Sequence, residues 1–140
     1  MLDLDLNSEY GARVARRLSE ERLIWLTTVR LDLTPQPSLV WFLWQEGTVL
    51  IYSKPNTPKL RNIERNPTVA LNFDSDGRGG NVVVLSGKAA IEPQAPPLDQ
   101  VAAYVAKYRE NIERMNITIA NFAKAYSVAI RVTPTSVRGH

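Results

Sequence analysis

Apolar residues recur along this chain in two rhythms. Tyr10, Val14 and Leu18 stand four apart within residues 8–18, with Asn7 or Ser8 available as a cap, which predicts an amphipathic helix packed across one end of a sheet. Runs rich in β-branched and aromatic residues follow at 23–29, 38–44 and 48–52. The proline-containing stretch 31–37 and the Glu46-Gly47 turn separate them, so a three-stranded meander is expected. Residues 68–73 predict a fourth strand and 82–91 a long fifth one, in which Gly87 marks a bulge or a close backbone approach. Helical spacing returns at Val101, Ala102, Val105 and Tyr108, predicting a helix from Leu98 to about Arg109, and again at Ile119, Phe122 and Ala123 within 117–126. Residues 127–134 form a last strand. About six strands with three or four helices between them predict a mainly β, α+β fold built on an antiparallel barrel.

The meander runs straight into residues 52–67, YSKPNTPKLRNIERNP. Thr57 suits an N-cap and Pro58 the first helical position, where a missing N–H costs nothing, so a helix is expected to run to about Arg65. Lys59 and Arg61 fall in its first turns. There the free backbone N–H groups, the positive end of the helix dipole and two cations would share one spot, a seat for phosphate that Ser53 and Lys54 can reach from the strand end. A plain surface helix is the competing reading, since a basic first turn opposes the dipole by only a few tenths of a kcal/mol per exposed charge, an order of magnitude that solvation tolerates.

Strand 38–44 is apolar on both sides. Alternation puts Leu39, Trp41 and Leu43 on one face and Val40, Phe42 and Trp44 on the other, so one face fills a barrel while the other meets a flat ligand, a second subunit or more core. The loop 74–81 resembles a calcium loop only in composition, lacking the closing glutamate, and is read as a hairpin turn.

Composition narrows the chemistry. The length of 140 residues suits one domain, 1–140, and a 44% hydrophobic, 22% charged chain is an ordinary globular one. No cysteine is present, and the single histidine, His140, lies at the C-terminus where fraying is expected, so disulfides, cysteine nucleophiles, serine triads and metal sites are all without support. The net charge of +3 is not gathered into a block, which leaves anionic small molecules and nucleic acid both open; cations that do not track a groove of exposed aromatics argue against the latter. No apolar run is long enough to cross a membrane and the first residues are acidic before basic, so a soluble cytoplasmic protein is expected. With so little catalytic equipment, an enzyme of this sequence would rely on a bound cofactor. Tyr52, Tyr126 and water are the candidate proton sources.

The order WLTTVR, PQPSLVWFLW, LIYS, TPKLRNI, NP, VALNF, VVVLSGKA and IRVTPTSVRG resembles the pyridoxamine 5′-phosphate oxidase-like split β-barrel superfamily, and within it the deazaflavin-dependent reductases. The resemblance spans about residues 18–139. It implies a homodimer of split barrels with two cofactor sites between the subunits, and an oxidoreductase moving hydride between coenzyme F-420, or alternatively FMN, and a small organic substrate. A carrier that binds the same cofactor without turnover is the other implied class. By position, Lys59 and Arg61 would hold the cofactor phosphate with Ser53, Lys54 and Asn62 nearby, and Gln36, Pro37, Ser38, Val40 and Trp41 would lie along the ring. The chain departs from true pyridoxamine phosphate oxidases, which carry an arginine-bearing strand before the phosphate loop and substrate-binding arginine and histidine near the C-terminus. Here that strand is Val40-Trp41-Phe42, and Arg131, Arg138 and His140 do not reproduce the pattern, which argues against vitamin B6 oxidation.

Overall fold

The computed structural model describes residues 2–140. Helix α1 (Glu9–Glu20) begins where expected, with the Ser8 hydroxyl accepting from the Gly11 N–H, and buries Val14 and Leu18. Strand β1 (Ile24–Val29) follows. The run read as one strand at 38–44 is two: β2 (Pro35–Val40) pairs with β1, and β3 (Leu43–Gln45) pairs with β4 (Thr48–Ser53). After α2 (Pro58–Arg65) come β5 (Thr68–Asn72) and β6 (Val83–Ile91). A 3-10 turn (Leu98–Gln100) leads to α3 (Ala102–Arg114) and α4 (Ile119–Ala125), and β7 (Val128–Gly139) completes the sheet.

All seven strands belong to one antiparallel sheet in the order β2-β1-β5-β6-β7-β4-β3. The expected meander is therefore corrected, because consecutive strands β2 and β3 lie at opposite ends of that order. Three residues reach at most about 10 Å, whereas seven flat strands would put the outer pair about 28 Å apart. The step from Val40 to Leu43 thus requires the sheet to roll until its two ends meet. The result is a split barrel with α+β character, as the resemblance implied, built of seven strands instead of six.

Alternation survives the strand break. Val40, Phe42, Val49, Ile51, Ile130 and Val132 join the core inside the barrel, while Leu43, Leu50, Tyr52 and Ala129 join a second core under α3 and α4, against which Trp41 packs. Strand β4 is accordingly buried on both faces. Helix α3 starts later and runs further than its spacing suggested, and its inward stripe is Tyr104, Tyr108 and Ile112, with Ala102 exposed and Val105 only half-buried.

The Glu46-Gly47 turn has positive φ at both residues, 52° and 75°, which fits the right-handed twist of a two-residue hairpin. At Gly87 both expectations hold: the β6–β7 register shifts between Ser86 and Gly87, and the Gly87 backbone lies against Thr133. Strand β7 continues five residues past Pro134, which sits at that irregularity where its missing N–H breaks no regular ladder. His140 is paired: it exchanges backbone hydrogen bonds with Val82, and its Nε2 lies 2.7 Å from the Gly79 carbonyl. Among the described residues no helix is long and apolar enough to cross a membrane.

Candidate functional site

A cleft of about 410 Å³ opens where the end of β4 and the start of α2 face the paired helices α3 and α4. Ser53, Lys54, Thr57 and Lys59 supply its polar side. They come together because β4 ends at Ser53 and the chain turns through Asn56, in the left-handed region at φ 62°, into Pro58 at the first helical position. Thr57 takes the N-cap position without capping; its Oγ1 lies 3.0 Å from Ser53 Oγ instead. Ser53 is buried and donates to the Lys54 carbonyl at 2.8 Å, which makes Thr57 the donor of the hydroxyl pair. Lys59 is half-buried, and desolvation holds its ammonium below the ordinary lysine pKa. A cation in that position gains from an anion beside it.

The apolar side comes from Val40 and Trp41 at the end of β2 and from Tyr104, Phe122 and Tyr126 on and beside the helices. Their rings form a stacked series: Tyr108 to Trp41 at 4.6 Å between centroids and 2° between planes, Trp41 to Phe122 at 5.3 Å and 21°, and Phe122 to Tyr126 at 4.4 Å and 18°. Lys54 Nζ lies 5.5 Å from the Tyr126 centroid and ties the polar side to this wall. Tyr108 anchors the series from below, accepting from the Phe42 N–H at 2.9 Å with its hydroxyl 2.7 Å from the Arg22 carbonyl. The stretch 41–42, irregular in the sheet, is thereby fixed.

The residues proposed from sequence divide between two places. Ser53, Lys54, Lys59, Val40 and Trp41 line the cleft. Gln36, Arg61 and Asn62 instead line a second cavity of about 360 Å³ together with Arg30 and Arg65. Lys59 and Arg61 do not converge, because neighbours two apart on a helix point about 200° apart. Arg61 donates to the Asn56 carbonyl at 3.0 Å, and Asn62 spends its amide inside the protein, donating to Thr28 Oγ1 and Gln36 Oε1 and accepting from Arg65. Pro37 and Ser38 line neither cavity. Of the candidate proton sources, Tyr52 donates to the Pro96 carbonyl at 2.7 Å, while Tyr126 remains at the cleft. Tyr104, Phe122 and Met115 line the cleft without having been singled out. Phe122 belonged to the predicted stripe of 117–126, which reads equally well as core, whereas Tyr104 and Met115 lay outside the predicted stripes.

An ammonium and two hydroxyls opposite a flat aromatic wall suit a ligand with an anionic tail and a planar ring, which is the donor set a flavin- or deazaflavin-type phosphate ester requires. The fold and cleft thus define a split-barrel domain with a cationic, hydroxyl-bearing cleft set against an aromatic wall. The chain belongs to the pyridoxamine 5′-phosphate oxidase family, whose model matches residues 11–140. No protein among the curated ones matches. Solved structures are also similar to this chain, three of them as follows. An F-420 reductase is 27% identical with a TM-score of 0.70, the match covering 88% of this chain and 94% of that one. A FAD-binding protein from Mesorhizobium loti is 17% identical with a TM-score of 0.63 over 88% of each chain. HutZ, the haem storage protein from Vibrio cholerae, is 14% identical with a TM-score of 0.65 over 94% and 95%. The last two speak for the fold alone.

Proposed function

We propose that the cleft binds a deazaflavin of the coenzyme F-420 type, FMN being the alternative, and that the protein is an oxidoreductase acting on a small planar organic substrate. The observation that carries this reading is the half-buried, carboxylate-free Lys59 in the same cleft as the aromatic wall of Trp41, Phe122 and Tyr126. The F-420 reductase among the similar structures favours the deazaflavin over FMN. Bound there, either group supplies hydride chemistry that no side chain of this protein offers. Lys59 neutralises the phosphate, Lys54 adds charge from the rim, and Ser53 and Thr57 turn their hydroxyls from each other to the ligand. Val40 and Trp41 border the ring and exclude water from one side of it. Arg61, Asn62 and Gln36 act from behind α2, where they hold the helix that carries Lys59. A second copy of the chain covers the exposed face of β2, including Pro37, and completes the site from outside, with Ser38 on the opposite, half-buried face.

Fluorescence titration of the purified protein with F-420 and with FMN tests the reading. Micromolar or tighter binding of one is expected; binding of neither would sink it. Lys59→Ala should weaken that binding about ten-fold or more, because a charge-assisted contact contributes about 1.5–3 kcal/mol. Affinity should also fall as pH rises through the lowered pKa of Lys59, and this slope should vanish in the variant. The same cofactor held without turnover is the second reading, favoured by the engagement of Tyr52 with Pro96. Oxidation of reduced cofactor by enones or quinones separates enzyme from carrier.

A further inference from the structure

Among the polar groups of the cleft that neither the fold nor the proposed phosphate seat uses, the most deeply set is the hydroxyl of Tyr104. Tyr104 is only 1% exposed, yet it lines the cleft from α3. Its ring is fixed on two sides, edge-on to Tyr52 at 5.2 Å between centroids and tilted against Tyr108 at 4.9 Å. Both of those neighbours have engaged hydroxyls, Tyr52 with the Pro96 carbonyl and Tyr108 with Phe42 and Arg22. The Tyr104 hydroxyl has no hydrogen-bond partner among the described residues, and burial raises its pKa well above the ordinary tyrosine value. The oxygen is not among the fully buried unpaired atoms, so the little of the residue that stays exposed includes it, and it opens on the cleft. A neutral phenol held rigidly at the inner wall of a ligand-sized cleft is therefore a donor waiting for an acceptor.

We propose that Tyr104 donates the internal hydrogen bond of the cleft, to a carbonyl oxygen or ring nitrogen at the buried end of the planar ligand. This rests on the cofactor reading above and adds to it a polar contact that the sequence did not suggest. The acceptor belongs either to the cofactor ring or to a carbonyl substrate lying beside it, and the two have the same chemistry toward a phenol. No covalent step is involved. In the empty cleft water meets the hydroxyl, and the ligand displaces it.

Tyr104→Phe isolates the hydroxyl, because the ring and its aromatic contacts remain. A purely structural tyrosine would lose stability on this change; here the melting temperature should stay level or rise, since nothing in the protein bonds to the oxygen. Affinity for whichever of F-420 and FMN the wild type binds should fall about five- to ten-fold, with a shift in the absorption maximum of the bound chromophore, if the cofactor ring is the acceptor. If a substrate carbonyl is the acceptor, cofactor affinity stays and the KM for a quinone or enone rises by a similar factor. Wild-type affinity, spectrum and KM in the variant would overturn the proposal while leaving the cofactor reading intact; a wild type that binds neither cofactor would remove both. Should Tyr104→Phe fail to fold, 3-fluorotyrosine at position 104, a stronger donor of nearly the same shape, should tighten the same binding or lower the same KM, and no change in either would count against the proposal.

Discussion

At the scale of single residues, the chain contains polar groups whose work is internal although their types suggest a binding site. Asn62 is 2% exposed and satisfies Thr28, Gln36 and Arg65 with one amide. Asn62→Ala leaves the fully buried Thr28 hydroxyl without that donor, so urea unfolding should show a loss of about 1–3 kcal/mol. Lys107 is a second case. Its Nζ donates to the Phe42 carbonyl at 2.8 Å and lies 3.9 Å from the centre of the Phe42 ring, and burial, with Arg22 adding, brings its pKa down to about 8. The folded state therefore releases this proton before the unfolded state does. Stability gains from that release as pH rises from about 8 towards 10.5, the ordinary lysine value, and the burial penalty is fully present below about 8. Thermal melts of wild type and Lys107→Met across that range should show the wild type gaining on the variant as pH rises; parallel curves would remove Lys107 from the pH dependence. Lys59, Ser53 and Lys54 were legible in the sequence because a strand end and a helix start place them by local geometry. The internal bonds of Asn62 were not, since its partners Thr28 and Gln36 lie 34 and 26 residues away.

Among the elements, the β6–β7 pair shows how one glycine fixes a register. A Cβ on Gly87 would stand 2.5 Å from the Thr133 carbonyl oxygen and 2.9 Å from Pro134 Cα, both backbone atoms that cannot rotate away. Gly87→Ala should cost about 1–3 kcal/mol, the usual range for overpacking, and lower the melting temperature accordingly. Gly87 does not have a positive φ, so the effect is one of space alone. The lone glycine within a strand run marked this position, and the period-two pattern sorted the two faces of 38–44. What it could not show was the break at 41–42, because a strand that changes partners keeps its alternation while losing its ladder. The stacked Tyr108, Trp41 and Phe122 rings and the Tyr108 hydroxyl on Phe42 take over there from strand pairing.

For the whole molecule, the sheet is rolled but not closed by hydrogen bonds, and β2 pairs with β1 alone. Pro35, Pro37 and Leu39 are exposed, Leu39 by 48%, and Leu31 and Leu33 in the preceding turn are 75% exposed. Apolar groups gathered on an unpaired sheet end favour burial against another chain. A homodimer is the expected species, seen as twice the monomer mass in sedimentation equilibrium at micromolar concentration. Leu39→Glu should give monomers and lower cofactor affinity with them, as Leu39 also borders the cleft. A wild type that sediments as a monomer would end this assignment.

The sequence by itself determined the strands and helices apart from the break at 41–42, the irregularity at Gly87, the sidedness of 38–44 and the strand-to-helix turn that carries Lys59, because each depends on residues within a few positions of one another. It placed Lys59 and Arg61 together by counting both in the first turns of α2, although a spacing of two already points them apart; which of them meets the cleft is decided by the fold. The rolling of the sheet, the division of the candidates between two cavities and the arrival of Tyr104, Phe122 and Tyr126 opposite Lys59 were decided by tertiary structure alone. They follow from the joining of β2 to β3 across the ends of the sheet and from the packing of two helices that begin more than 40 residues after the start of α2. Long-range packing of apolar surface is non-directional, and only the closed fold shows which aromatic side chains complete a core and which line a site.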